Sequence, residues 1–138
     1  DQVAFARLVI EPRLAELAAP RVTPALIDRL EELDAAVTRA IEAHRLPDYL
    51  AANHAFHFAL YEAAGAPVLL DMARSLWLRA GPSLRAVIDR YGREAAPDMH
   101  RVALAALRAG DAAAVAEAVR RDIQQGIDHV RQALAEVA

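Results

Sequence analysis

Residues 46–65 read LPDYLAANHAFHFALYEAAG, and the spacing inside this stretch decides the fold. Leu46, Pro47 and Asp48 make a turn, and a helix runs from there to Ala64, where Gly65 supplies the stop. At 100° per residue, Leu50, Phe56, Leu60 and Ala64 fall on one stripe, the apolar face of a helix packed on others. Asn53 and His57 lie within that stripe, four residues apart and so one above the other. His54 lies towards its edge and is read as exposed. No strand accounts for such a pattern. Period-2 alternation is nowhere sustained, and neither Asn-Gly nor Asp-Gly occurs in the chain.

Working outward, proline and glycine divide the rest into further helices. A first helix covers about Asp1 to Ala19, with Pro12 in its middle expected to kink or split it. Thr23 and Pro24 form an N-cap and a first helical position, opening a second helix that reaches about Ala43. Ala66-Pro67 starts a fourth helix through about Tyr91, with a bend expected at Gly81-Pro82. Pro97 opens a fifth that ends at Gly110, and Asp111 caps a sixth that runs to the C-terminus. Alanine supplies about a quarter of the residues, and it is the strongest helix former. The reading is an all-α fold, an antiparallel bundle of six to seven helices forming one domain over residues 1–138.

Composition removes several functions. There are no cysteines, so disulfides, thiolate zinc sites and cysteine nucleophiles are excluded. Sixteen basic residues, all arginine, stand against nineteen acidic ones for a formal charge of −3. That balance opposes a nucleic-acid or anionic-membrane surface on this segment. No apolar run approaches the ~18 residues of a membrane span, and no signal-peptide pattern opens the chain, so a cytoplasmic location is expected. The chain opens on Asp1 with no methionine, and it is expected to be part of something longer. A di-iron carboxylate bundle needs Glu-x-x-His motifs, a zincin needs His-Glu-x-x-His, and a hydrolase elbow needs Gly-x-Ser-x-Gly; all three are missing. No catalytic residue is assigned, and an enzyme is the least favoured reading.

Polar residues recur on the inner faces. His100 lies in the middle of the face that Ala103, Leu104 and Leu107 define on the fifth helix. On the sixth, Val115, Val119, Gly126, Val130 and Ala133 point inwards, with Asp122 on one flank and His129 nearly above it two turns later. Taken singly, a His or Asn on such a stripe is usually a satisfied core residue. A buried carboxylate is harder to accommodate, because it needs a cation or several donors. Together Asn53, His57, His100 and Asp122 offer N and O atoms suited to a divalent ion such as Zn²⁺, Ni²⁺ or Mn²⁺. On the first helix Arg7 and Glu11 are i,i+4 and share a stripe with Val3, Leu14 and Ala18. They form either an ion pair closing the bundle or an arginine whose planar fork takes the carboxylate of a small ligand. Arg79 shares a face with Val68 and Met72, away from Trp77; it is read as a solvated arginine or as a second lining residue of the same cavity.

These residues, taken in order, resemble a known family. Arg7-Leu-Val-Ile-Glu11-Pro12, Asn53-His-Ala-Phe56-His57, Ala63-Ala-Gly65-Ala-Pro67-Val-Leu, His100 and Gly110-Asp111 are similar to the FCD domain. That is the C-terminal effector-binding and dimerisation domain of the FadR subfamily of GntR transcription regulators. The resemblance implies a divalent metal held at Asn53, His57, His100 and Asp122, with Asn53 standing for the commoner aspartate and Asp122 for a histidine. The 22-residue interval from His100 to Asp122 matches the family's usual spacing of its two late histidines, and His129 is a substitute ligand. Ala66 stands where asparagine is frequent. The resemblance also implies that a small carboxylate effector binds the metal's open positions, with Arg7 or Arg79 neutralising its charge. Binding then biases a homodimer and so the spacing of two winged-helix domains on operator DNA, which lie outside this chain. The remaining alternative is a helical dimerisation domain with neither ligand nor metal.

Overall fold

A computed structural model describes residues 1–91 and 98–137, with side chains described for 1–80, 98–132, 134 and 135. It contains α1 (Gln2–Ala18), a 3₁₀ turn (Ala19–Arg21), α2 (Pro24–Glu42), α3 (Leu46–Glu62), α4 (Pro67–Tyr91), α5 (Met99–Ala109) and α6 (Ala112–Val137). There is no strand among the described residues. Among the described residues, no helix is long and apolar enough to cross a membrane.

The helix boundaries follow local chemistry. Thr23 Oγ1 accepts from the Leu26 amide at 3.1 Å, and Pro24 stands where a missing N–H costs nothing. Pro47 does the same one residue into α3, so the proline expected in a turn sits inside the helix's first turn. Asp111 Oδ1 accepts from the Ala114 amide at 3.1 Å and starts α6. At the start of α5 the cap is Asp98, whose Oδ1 accepts from the Arg101 amide at 3.2 Å; Pro97 lies outside the described residues. α1 runs unbroken through Pro12, against the expected split. Its flanks bury Ile10, Glu11, Leu14 and Ala15, and that packing outweighs the roughly 3 kcal/mol that an interior proline costs. The backbone of α4 is likewise helical throughout, Gly81-Pro82 included.

Consecutive helices α2–α3 and α5–α6 pack on each other across short turns, which makes them antiparallel. α1 lies against α6, α4 and α3. The core holds Leu14, Leu30, Phe56, Leu60, Tyr61, Val115 and Val119, each large apolar side chain contributing about 1.5–3 kcal/mol on burial. On α6 the inward face is Val115, Ala118, Val119 and Ile123, while Gly126 and Val130 are only half-buried. The side chain of Ala133 lies outside the described residues.

Gly65 follows α3 at φ +63°, and a Cβ there would overlap the Arg21 guanidinium, which donates to the Ala64 carbonyl at 3.0 Å. Gly65→Ala is expected to lower stability by about 1–2 kcal/mol, from left-handed strain and displacement of that donor. Urea unfolding checks this, and a loss near zero would contradict the assigned conformation.

Candidate metal and effector site

Three helices bring three ligand atoms together. His57 Nε2 from α3 lies 2.9 Å from Asp122 Oδ2 of α6. His100 Nε2 from α5 lies 3.3 Å from His57 Nε2 and 3.5 Å from Asp122 Oδ2. Both histidines are buried, and the Asp122 side chain keeps 26% exposure. Ligands about 2.0–2.2 Å from a shared zinc stand about 3.3 Å apart around a tetrahedron. Two imidazoles and one carboxylate at these separations therefore fit a divalent cation. This donor set suits zinc, nickel and manganese alike.

The electrostatics come from the same contacts. Burial disfavours the charged His100 ring, but hydrogen bonds to Asp122 and Asp34, with their charges, overcome it and raise its pKa to about 9. Burial likewise disfavours ionised Asp122, yet the His100 and His57 contacts hold its carboxyl well below the usual carboxylate range. Tyr49, two turns before His57 on α3, has its hydroxyl pushed up to about 12 by burial and by the Asp122 charge.

Behind the cluster is a second group of partners. His100 Nδ1 lies 3.1 Å from Asp34 Oδ1 of α2. His57 Nδ1 lies 3.1 Å from the Tyr61 hydroxyl, which donates to Glu11 Oε1 at 2.8 Å. Glu11 is fully buried. Its Oε1 also accepts from Trp77 Nε1 at 2.7 Å, and its Oε2 pairs with Arg7 Nε at 2.6 Å. The Arg7 guanidinium lies 4.7 Å over the Trp77 ring, and that ring is 5.2 Å from His57.

Of the residues singled out from sequence, His57, His100 and Asp122 thus converge. Asn53 is half-buried one turn before His57. Arg7 is buried and paired through Nε, one aromatic ring away from the cluster. Arg79 is not brought there: it is exposed on the outer side of α4, and Trp77 occupies the inner side. His129 is half-buried on α6 and is not one of the converging ligands. His54 is exposed, as expected, and stacks on Phe58 at 4.4 Å. Sequence reasoning missed Asp34, Tyr61, Trp77 and Tyr49. Asp34 carried a signal, an acidic residue between Leu30 and Val37 on the apolar stripe of α2.

A family model described as the FCD domain matches residues 2–125. The chain belongs to the FCD domain family. It is 28% identical over 131 residues to the HTH-type transcriptional regulator McbR of Escherichia coli (strain K12), covering 92% of this chain and 59% of McbR. The chain therefore spans less than two thirds of that relative's length. The solved structure of E. coli McbR/YncC superposes with a TM-score of 0.89 at 26% identity, over 96% of this FCD domain and 67% of that chain. Streptococcus agalactiae GntR superposes with a TM-score of 0.66 at 27% identity, over 90% of this domain and 55% of that chain. McbR is described as an HTH-type transcriptional regulator, and the S. agalactiae protein as a GntR.

Proposed function

We propose that this FCD domain is the sensing and dimerising part of a FadR-subfamily GntR regulator, binding a small organic acid through a divalent cation. One observation carries the reading: two imidazole nitrogens and one carboxylate oxygen from three helices meet within cation-sharing distance. His57, His100 and Asp122 would hold the ion, with the Asn53 carboxamide as a fourth donor from the turn before His57. The cation supplies a Lewis-acid anchor for the carboxylate of the effector. Arg7 supports the bound charge from beside Trp77, and the Tyr49 hydroxyl offers a hydrogen bond near Asp122. An effector held between α3, α5 and α6 biases the arrangement of helices, which is the requirement for transmitting occupancy to attached DNA-binding domains.

The pH dependence of cation binding tests this. His100 has its folded-state pKa raised to about 9, so protons compete with the cation at all lower pH values. Zinc affinity is expected to rise about tenfold per pH unit as pH climbs towards 9, with release of one proton on binding. The proton-linked stability of the cation-free fold runs the opposite way. It is complete below the unfolded histidine pKa and is lost as pH rises through about 9. Calorimetric titration at several pH values reads both effects. Zinc affinity that is flat from pH 6 to 9 would contradict coordination by His100.

A second reading has its own support. The same contacts make a self-contained network in which a protonated His100 neutralises Asp122, as a purely structural dimerisation domain would use. It predicts no thermal response to zinc, nickel or organic acids.

The dimer face we assign to neighbouring helices α1 and α4, whose outer sides expose Phe5, Val9, Val68 and Met72. A second copy is the occupant that fits the resemblance. Val9→Asp combined with Val68→Asp is expected to weaken self-association roughly 100-fold, about 2.7 kcal/mol. Sedimentation at micromolar concentration checks it. A dimer of unchanged strength would remove this face from consideration.

A further inference from the structure

The two imidazoles of the cluster are oriented from behind by different means. His100 Nδ1 faces Asp34 Oδ1, and a carboxylate only accepts, so Nδ1 carries the proton. His57 Nδ1 faces the Tyr61 hydroxyl. That hydroxyl has one proton, and it is committed to Glu11 Oε1, part of a buried carboxylate already paired with Arg7. The phenol oxygen is therefore an acceptor towards His57, and His57 Nδ1 is the donor. With a cation bound in place of the protons shared with Asp122, each neutral ring would turn an Nε2 lone pair to the same corner, where the two nitrogens are 3.3 Å apart.

We propose that Asp34, and Tyr61 backed by Glu11, are positioning residues that fix both histidines in the Nδ1–H form and thereby set the affinity of the cluster for a divalent cation. The inference rests on the cation reading above. Oriented imidazoles with a hydrogen-bonded second nitrogen are better cation ligands, because the ring is held in the correct tautomer and its basicity is raised. The arrangement is asymmetric. His100 leans directly on a charge, whereas His57 reaches one through a phenol, which places Tyr61 where a single oxygen decides the tautomer.

The test combines zinc titration with ¹⁵N shifts of the histidine rings. In the zinc-loaded parent both rings are expected in the Nδ1–H form. Tyr61→Phe is expected to lower zinc affinity about 10–100-fold and to free His57 to mix tautomers while His100 stays unchanged. Asp34→Ala is expected to cost a similar factor with the disturbance confined to His100. Asp34→Asn, which keeps an accepting oxygen, restores the tautomer and most of the affinity. A packing role alone would move the melting temperature and leave the ring shifts as in the parent. Should Tyr61→Phe fail to fold, the two Asp34 variants decide the matter alone. Parent-like zinc affinity with parent-like ring shifts in Tyr61→Phe or Asp34→Ala overturns the proposal but leaves the cation site standing. A parent that takes up no zinc overturns both.

Discussion

Glu11→Ala is expected to lower the stability of this domain by about 3–5 kcal/mol, the cost of removing one partner from a buried charge pair. The carboxylate holds three donors from three helices: Arg7 of α1, Tyr61 of α3 and Trp77 of α4. Removing it leaves the guanidinium of Arg7 buried without its counter-charge, and it leaves the phenol and the indole N–H without an acceptor. Glu11→Gln fills the same volume but sets an amide where Arg7 needs a carboxylate, so a loss of about 1–3 kcal/mol is expected there. Urea unfolding of the two variants beside the parent reads the effect. A loss below about 1 kcal/mol for Glu11→Ala would mean that α1 is held by apolar packing alone.

The second large effect concerns the cluster itself. At a free zinc or nickel concentration 100 times Kd, the parent is expected to gain about 2.7 kcal/mol. For a chain of this size that raises the melting temperature by roughly 10 °C. His57→Ala and His100→Ala each remove one imidazole from a set of three converging donors. Both are expected to abolish the rise at the same cation concentration. The cation-free melting temperature is itself informative. His100→Ala deletes a ring stacked 4.0 Å from Phe56, so a modest loss of stability without cation is expected in addition. A rise retained in either variant would place the cation elsewhere.

Much of the fold was legible because the signals were local. Thr23-Pro24, Ala66-Pro67, Gly110 and Asp111 act on backbone groups within a few residues of themselves, so the start of α2, the start of α4 and the α5–α6 turn could be placed from sequence. Two local rules were overridden. Pro12 sits inside an intact helix because α1 is packed along its length, and His44 ends α2 at φ +57°, where a glycine would have announced the turn. Within the site, periodicity turned His57, His100 and Asp122 towards a common interior. It could not supply the partners behind them. Asp34 meets His100 across 66 residues of chain and Glu11 meets Tyr61 across 50, so neither pairing leaves a spacing to detect. Arg79 shows the limit of a face assignment. Its helix has one inner side, and Trp77 takes it.

In the proposed reading, three helices hold a divalent cation through His57, His100 and Asp122. Native mass spectrometry of the protein isolated without chelator, before and after one equivalent of zinc, tests it most directly. One cation per chain is expected, removed by acidification through the histidine range and missing from His57→Ala. A parent that keeps the bare mass of the polypeptide after zinc addition, or a His57→Ala protein that retains the ion, would contradict it.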